Sequence, residues 1–226
     1  MSSKLMNISG IPYERDIDDS FEKHPEIPNS VLNLRHMHMT PTNFRQPLFT
    51  EHYGEKFVDS CKKVLEIGCG TGRNAQFWIN ETKAKYFAFD TSPTSLKYFE
   101  KMGFPKRRYY TSLEMDEMIM KQKYDIIFST YVLNHIGFSD SGGHDPDAHD
   151  SVSITNKLWP TLKEGGYWLS YELHHGQNKW KPDVWYQRAF VEEKKSNELL
   201  RTAEDVIEGC EPVRHNLYII RKTKET

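Results

Sequence analysis

Cysteine is scarce in this sequence, and neither sign of charge is in excess. The three cysteines, Cys61, Cys69 and Cys210, are too few and too widely spaced for a disulfide framework or a paired-cysteine metal site. We therefore expect a reducing compartment, the cytoplasm. The 30 basic residues nearly balance the 32 acidic ones, which leaves a net charge of -2. That balance excludes a general binder of nucleic acid or of membrane surfaces, because phosphate contacts require a basic surplus.

Long apolar runs are missing as well. No stretch approaches the roughly 20 apolar residues of a membrane-spanning helix, and residues 1–20 lack the apolar segment of a secretory signal. A chain of 226 residues is a suitable length for one domain. We therefore expect a soluble protein with a single core.

Patterns typical of strands and helices alternate along most of the chain. Residues 1–55 contain several prolines and no clear period, and we interpret them as an N-terminal helical cap or lid ahead of a core at 56–226. Strands are predicted at 62–68, 85–90, 107–112, 124–133, 167–173 and 215–223. Helices are predicted at 72–82, 92–103, 154–166 and 190–206. The alternation indicates a doubly wound α/β domain with a mostly parallel sheet.

The segment VLEIGCGTGRNAQFW, residues 64–78, places three glycines between the first strand and its helix. Ligands of such sheets bind at the carboxyl ends of the strands, and glycine lets a ligand approach the backbone closely. The third glycine is Gly72, whereas a dinucleotide fingerprint would have it at position 73, and no Gly-Lys-Ser/Thr of a P-loop follows. The acidic Glu66 favours a ligand that carries positive charge over a phosphate.

This segment and four later ones resemble, in the same order, the motifs of the class I S-adenosylmethionine-dependent methyltransferases of small molecules. The later ones are Asp90 at the end of the second strand, YDIIFSTYVLNHI, LWPTLKEGGYWLS, and the C-terminal segment 190–222. The likeness covers roughly residues 55–222. It implies a seven-stranded Rossmann-like sheet with an antiparallel final strand. It also implies S-adenosylmethionine as cofactor and S-adenosylhomocysteine as product.

The resemblance also implies a cofactor site. Glu66 and the backbone of Gly68 and Gly70 would face the amino acid part, and Asp90 would accept hydrogen bonds from the ribose hydroxyls. The alternative for Asp90 is a cap of the following helix. The thiol of Cys69 is expected to be a bystander. The full set is Glu66, Gly68, Cys69, Gly70, Gly72, Asn74, Asp90, Thr91, Ser112, Leu113, Ser129 and Thr130.

Catalysis of methyl transfer depends mainly on the alignment of the two reactants. A base is needed only where the acceptor atom carries a proton, and histidine suits that role near neutral pH. The first candidates are His135 and His174, which follow the fourth and fifth strands, and Tyr131 would lie along the cofactor towards the reacting atoms. The alternatives are that His135 supports the start of a helix and that Tyr131 is a packed aromatic residue.

The loop at 137–151 is long and acidic, which is typical of a lid or a functional loop. Its histidines and aspartates have no recognisable metal-ligand spacing, so we expect a lid and no metal; the alternative is that they bind a divalent ion. The histidines and aspartates of this loop that this alternative would use as metal ligands are His144, Asp145, Asp147, His149 and Asp150.

The acceptor is expected to be a small molecule. No nucleic-acid or membrane partner is expected, and the protein is expected to be a monomer or a homodimer. Trp180, Trp185 and Tyr186 either line the acceptor pocket or close the core at the edge of the sheet, which we favour. Two other functions remain as alternatives: methylation of a protein or RNA side group, and a fold relative that binds or cleaves the cofactor without methyl transfer.

Overall fold

The computed structural model describes the core of the chain in several ranges. They are residues 5–6, 12–13, 60–70, 73–80, 82–90, 109–110, 118–130, 132–133, 136, 150–175, 182–206 and 213–224. Two short strands, β1 (Leu5–Met6) and β2 (Pro12–Tyr13), pair antiparallel. Otherwise the segment predicted as a cap, 1–55, lies outside the described residues, as does the helix predicted at 92–103.

Seven strands form the main sheet. They are β3 (Lys63–Ile67), β4 (Lys85–Phe89), β5 (Tyr109–Tyr110), β6 (Tyr124–Thr130), β7 (Leu162–His175), β8 (Asn197–Val206) and β9 (Val213–Lys222). Their order is β5-β4-β3-β6-β7-β9-β8. The first five strands run parallel, and β9 pairs antiparallel with both β7 and β8. The predicted doubly wound, mostly parallel sheet is confirmed.

Helices lie on both faces of this sheet. They are α1 (Arg73–Asn80), α2 (Asp150–Leu158), a 3-10 turn (Trp159–Thr161), α3 (Pro182–Tyr186) and a π-helix (Gln187–Glu192). Trp78 of α1 belongs to the apolar cluster on one face, together with alternate strand residues such as Val64 and Phe128. Trp159 and Phe190 belong to the cluster on the other face. Because both faces are covered, the parallel strands are almost continuously apolar.

Aromatic rings close the second face. Phe190 makes edge-on contacts with Trp159, Trp168 and Trp185, at ring-centroid distances of 5.1, 6.2 and 5.5 Å. Trp185 is 2% exposed, and Tyr186 stacks on Phe190. The interpretation that Trp185 closes the core is confirmed. Trp180 lies outside the described residues.

The helix predicted at 190–206 is wrong. The π-helix ends at Glu192, and β8 begins at Asn197. The sequence NELLRTAEDV contains strong helix formers, but in the fold it pairs with β9 from Asn197 to Val206. Tertiary pairing therefore overrides the local preference.

The boundary between α2 and β7 also differs from the prediction. The helix predicted at 154–166 begins at Asp150, and the 3-10 turn that follows it contains Pro160 and ends at Thr161. Proline cannot continue a regular helix. The segment 163–166, which the prediction included in the helix, lies within β7. Gly165 in this segment has a φ of 73°. The pairing of β7 with β6 shifts register between Tyr124 and Ile126.

Candidate functional site

The glycine turn after β3 is bonded to the end of β4. Gly68 and Gly70 have φ angles of 67° and 52°, which side-chain-bearing residues rarely adopt. The N–H groups of Gly68 and Cys69 both donate to the carbonyl oxygen of Phe89, at 2.7 and 3.2 Å. The local sequence therefore folds into a tight turn at the carboxyl edge of the sheet, by which we mean the C-terminal ends of β3, β4, β6 and β7.

Asp90 joins this turn from the end of β4. Its Oδ2 accepts a hydrogen bond of 2.8 Å from the N–H of Gly70. The structure thus brings together the glycine turn and the predicted ribose acceptor, which lie 20 residues apart in sequence. The predicted contact of Asp90 with ribose and its alternative role as a helix cap stay predictions, because residues 91–100 lie outside the described part.

Glu66 lies beneath the turn and is 2% exposed. Its Oε1 accepts from Asn74 Nδ2 of α1 at 2.7 Å, and its Oε2 accepts from the hydroxyl of Tyr86 in β4. Burial, and then the charge of Glu66, raise the pKa of Tyr86 well above its ordinary value. Glu66 and Asn74 therefore connect β3, β4 and α1, and their predicted contact with the cofactor stays a prediction.

Cys69 occupies the turn itself and is 5% exposed. Burial, followed by the charges of Asp90 and Glu66, raises the pKa of its thiol well above the ordinary value. The thiolate is the nucleophilic form of cysteine. The environment therefore favours the interpretation that the thiol is a bystander and that this position contributes backbone only.

Thr130 and Ser129 end β6 next to the glycine turn, since Ser129 pairs with Ile67 of β3. Thr130 is 8% exposed, and its hydroxyl has no hydrogen-bond partner among the residues that the structure describes. Ser129 is fully buried and donates to Oε1 of Glu172 at 2.8 Å. Of these two hydroxyls, that of Ser129 has a hydrogen-bond partner among the described residues, and that of Thr130 has none there.

Glu172 is a residue of this edge to which the sequence assigned no role. It is 0% exposed. Its Oε1 accepts from Ser129 and also from Ser170, at 2.8 and 3.2 Å, and its Oε2 accepts from the backbone N–H of Val132 at 2.8 Å. The available signal was an acidic residue inside the apolar strand YWLSYEL, two positions after a serine. Such a carboxyl group requires buried donors.

Several predicted site residues are not placed. Those outside the described residues are Gly72, Thr91, Ser112, Leu113, Tyr131 and His135. His174 pairs with Arg214 through the backbone of β7 and β9, and its side chain is not described. The proposed roles of these residues stay predictions.

Within the described ranges, no group of three or more His, Cys, Asp or Glu side chains is suitably arranged to hold a metal ion. The acidic segment 137–149 lies outside them, and Asp150 begins α2. In the same ranges, no helix is both long enough and apolar enough to cross a membrane.

Two comparisons by sequence match a large part of this chain. Residues 65–167 match the family model described as a methyltransferase domain. An uncharacterised protein from Haemophilus influenzae is 25% identical over 197 residues, which cover 77% of this chain and 74% of that protein.

Two solved structures share the fold over most of the chain. The N-methyltransferase NodS from Bradyrhizobium japonicum WM9, in complex with S-adenosylhomocysteine, superposes with a TM-score of 0.62 at 11% identity, over 93% of this chain and 100% of that chain. The plantazolicin methyltransferase BpumL, also in complex with S-adenosylhomocysteine, has a TM-score of 0.59 at 12% identity, over 92% and 93%. At these identities the likeness shows the fold. Residues 65–167 therefore match a methyltransferase domain, and the chain has the fold of these two methyltransferase structures.

Proposed function

We propose that this protein binds S-adenosylmethionine at the carboxyl edge and transfers its methyl group to an O, N or S atom of a small molecule. The observation that carries the proposal is the hydrogen bond from Gly70 to Asp90, which joins two motifs of the family in one turn. The methyltransferase domain at 65–167 supports the same cofactor. Two structures of this fold, NodS and BpumL, were solved with the demethylated cofactor.

The residues present suit such a ligand. A Cβ atom built on Gly70 would meet no atom of the described residues within 4 Å, so the described part leaves the backbone of the turn open on that side. Asp90 is partly exposed beside it, and a carboxylate accepts strong hydrogen bonds from paired hydroxyls. The buried hydroxyl of Thr130 adds a polar group whose hydrogen bond the described part does not supply. We propose that Gly68, Gly70, Asp90 and Thr130 hold the cofactor.

The cofactor supplies a methyl group activated by a sulfonium. The protein contributes alignment and the exclusion of water, because the charge on sulfur disperses during an in-line displacement. We propose His135 and His174 as the candidates for removing a proton from the acceptor, and Tyr131 as a residue beside the reacting atoms. If His135 is the base, His135→Ala lowers turnover and removes the acidic limb of the pH profile of kcat. An unchanged turnover would eliminate it.

The choice of a small acceptor rests on the nearly neutral charge, which provides no surplus for a polyanion. We further propose a cytoplasmic location and a monomer or homodimer. Methylation of a protein or RNA side group is the alternative acceptor class. Cofactor binding or cleavage without methyl transfer is the alternative reaction.

Incubation with methyl-labelled S-adenosylmethionine and separate pools of metabolites, protein and RNA tests these functions. We expect S-adenosylhomocysteine to form together with a labelled small molecule in equal amounts. Label in the protein or RNA pool would favour the alternative acceptors. Cofactor breakdown without an acceptor would favour cleavage, and binding with no turnover in any pool would favour a sensing module. Asp90→Ala serves as the control, because its weaker binding should lower every cofactor-dependent product at cofactor concentrations below its raised Kd.

A further inference from the structure

Among the described residues, the buried Glu172 accepts hydrogen bonds from Ser129, Ser170 and Val132, which lie on or just beyond two different strands of the sheet. Ser170 belongs to β7 itself, whereas Ser129 is the second-last residue of β6 and Val132 lies beyond the end of β6. The bonds to Oε1 come from hydroxyl groups, which can rotate. The bond to Oε2 comes from the backbone N–H of Val132 at 2.8 Å, and an N–H cannot reorient without moving the chain. Glu172 therefore fixes the backbone that leaves β6.

Val132 in turn packs against the glycine turn. A Cβ atom placed on Gly68 would lie within 2.9 Å of three side-chain atoms of Val132. That distance is too short for a real contact, so Val132 occupies the space that only a glycine leaves open. The side chain of Val132 thus sets how closely the turn after β3 approaches the chain after β6.

Two hydrogen bonds connect the glycine turn to the end of β4. Gly68 donates to the carbonyl of Phe89 at 2.7 Å, and Gly70 donates to Asp90 at 2.8 Å. The contacts therefore run without interruption from Glu172 to Val132, to the glycine turn and to Asp90. They cross four strand ends, of β7, β6, β3 and β4.

Stability alone does not favour a carboxyl group at this place. Burying a carboxyl group costs free energy that its hydrogen bonds only partly return, and an apolar residue of similar size is often equally stable. An apolar residue would lack an acceptor for the N–H of Val132, which, unlike the hydroxyls of Ser129 and Ser170, cannot rotate towards another partner. We infer that Glu172 is a positioning residue, which holds Val132 against Gly68 and thereby keeps the glycine turn in the conformation that binds the cofactor. This inference rests on the proposed function.

Three variants separate positioning from stability. Glu172→Gln keeps a carbonyl oxygen for Val132, while the serine hydroxyls can rotate to accept from its amide. Glu172→Met keeps the volume and removes the acceptor. Ser170→Ala is the matched control, because it disturbs the same buried cluster on Oε1 and leaves the bond between Oε2 and Val132 in place.

The measurements are the Kd of S-adenosylhomocysteine by calorimetry, the thermal midpoint, and hydrogen exchange of the Val132 amide by NMR. For Glu172→Met we expect an affinity about tenfold weaker or more, as for the loss of one buried charge-assisted hydrogen bond, together with fast exchange at Val132. For Glu172→Gln we expect affinity and exchange close to those of the wild type. For Ser170→Ala we expect a lower midpoint with both other quantities unchanged.

Wild-type affinity in Glu172→Met, despite fast exchange at Val132, would overturn the inference. Slow exchange in that variant would also overturn it, because the bond would then be made elsewhere. If Glu172→Met fails to fold, Val132→Ala decides: it keeps the N–H and removes the contact with Gly68, so affinity should fall several-fold while the amide stays protected. Unchanged affinity in Val132→Ala would overturn the inference.

Failure of the proposed function gives a different pattern. If the wild type binds neither S-adenosylmethionine nor S-adenosylhomocysteine, the proposed function fails and the affinity part of this inference fails with it. Exchange at Val132 in the wild type and in Glu172→Met would still confirm or overturn the claim that Glu172 holds this backbone.

Discussion

The carboxyl edge of the sheet and its opposite, amino edge both contain an aspartate that accepts backbone N–H groups, but they differ in how their polar groups are used. At the amino edge, Asp125 accepts from the N–H groups of Lys62 and Lys63 at 2.9 and 2.8 Å. It also accepts from the ammonium group of Lys163 at 2.6 Å. These bonds connect the starts of β3, β6 and β7 to one another.

Lysine side chains complete that amino edge. Lys123 donates to the carbonyl of Pro160 at 2.7 Å, and Lys222 donates to the carbonyls of Trp159 and Leu162 at 3.1 and 3.0 Å. The carboxyl edge instead contains an open turn at Gly70 and the buried hydroxyl of Thr130. The bonds of the amino edge thus hold strands together, and we propose that the carboxyl edge also receives a ligand. Matched substitutions at the two edges test this difference.

Glycines with positive φ give the largest expected contrast. At the carboxyl edge, Gly68→Ala adds a Cβ within 2.9 Å of Val132 to a backbone at 67°. Strain and overpacking together cost about 3 kcal/mol, or roughly 100-fold in the Kd of S-adenosylhomocysteine if the turn takes all of it. At the amino edge, Gly165 has a φ of 73°, and a Cβ built on it would meet no atom of the described residues within 4 Å.

Gly165→Ala therefore carries the backbone strain without the clash. We expect it to lower the free energy of unfolding by about 1 kcal/mol and to leave the Kd unchanged. Calorimetry and denaturant unfolding of both variants measure the contrast. Equal effects of the two substitutions on Kd would show that backbone strain in general, and not the turn at Gly68, controls binding.

The two aspartates give the next largest contrast. Asp90→Ala removes the partner of Gly70 and the proposed acceptor of the ribose hydroxyls. We expect the Kd of S-adenosylhomocysteine to rise roughly 10- to 100-fold, since hydrogen bonds to charged groups contribute about 1.5–3 kcal/mol. Asp125→Ala should instead lower the free energy of unfolding by about 1–2 kcal/mol with the Kd unchanged. A raised Kd in Asp125→Ala together with an unchanged Kd in Asp90→Ala would contradict the distinction between the edges.

The smallest expected effect concerns Lys195, close to the amino edge. Its ammonium group contacts Asn156 and the rings of Trp159 and Phe190. Burial lowers its pKa from 10.5 to about 8, against a smaller opposite effect of Glu193. The unfolded chain therefore binds more protons than the folded one between these two values, so the free energy of unfolding should rise with pH from about 8 to 10.5.

In Lys195→Met, the part of this rise in the free energy of unfolding that comes from Lys195 should be absent. The Kd of S-adenosylhomocysteine at pH 8 should not change. Denaturant unfolding of both proteins across this pH range measures the difference. The same pH dependence in both would show that Lys195 does not titrate differently in the folded state.

Much of the fold could be predicted from the sequence because its strands are buried on both faces. A strand such as VLEI or YDIIF is then a short apolar run with a clear beginning and end. The segment at 197–206 could not be predicted in this way. Its residues favour a helix, and its strand conformation depends on β9, which is a partner that local preference does not include.

Part of the candidate site could likewise be predicted from the sequence, and part could not. The glycine turn and Asp90 follow directly from the ends of consecutive strands, so their spacing in sequence indicates their meeting in space. Glu172 has partners 43 and 40 residues away, at Ser129 and Val132. Their contact depends on the register of β6 against β7, and the bulge between Tyr124 and Ile126 changes that register. No local pattern contains this information.

The central claim is that the carboxyl edge binds S-adenosylmethionine through the glycine turn and Asp90. A crystal structure of the protein grown with S-adenosylhomocysteine tests it most directly. We expect the ribose hydroxyls within hydrogen-bonding distance of Asp90 and the amino acid part against the backbone of Gly68 and Gly70. A ligand bound elsewhere, or an empty carboxyl edge at saturating ligand concentration, would contradict the account.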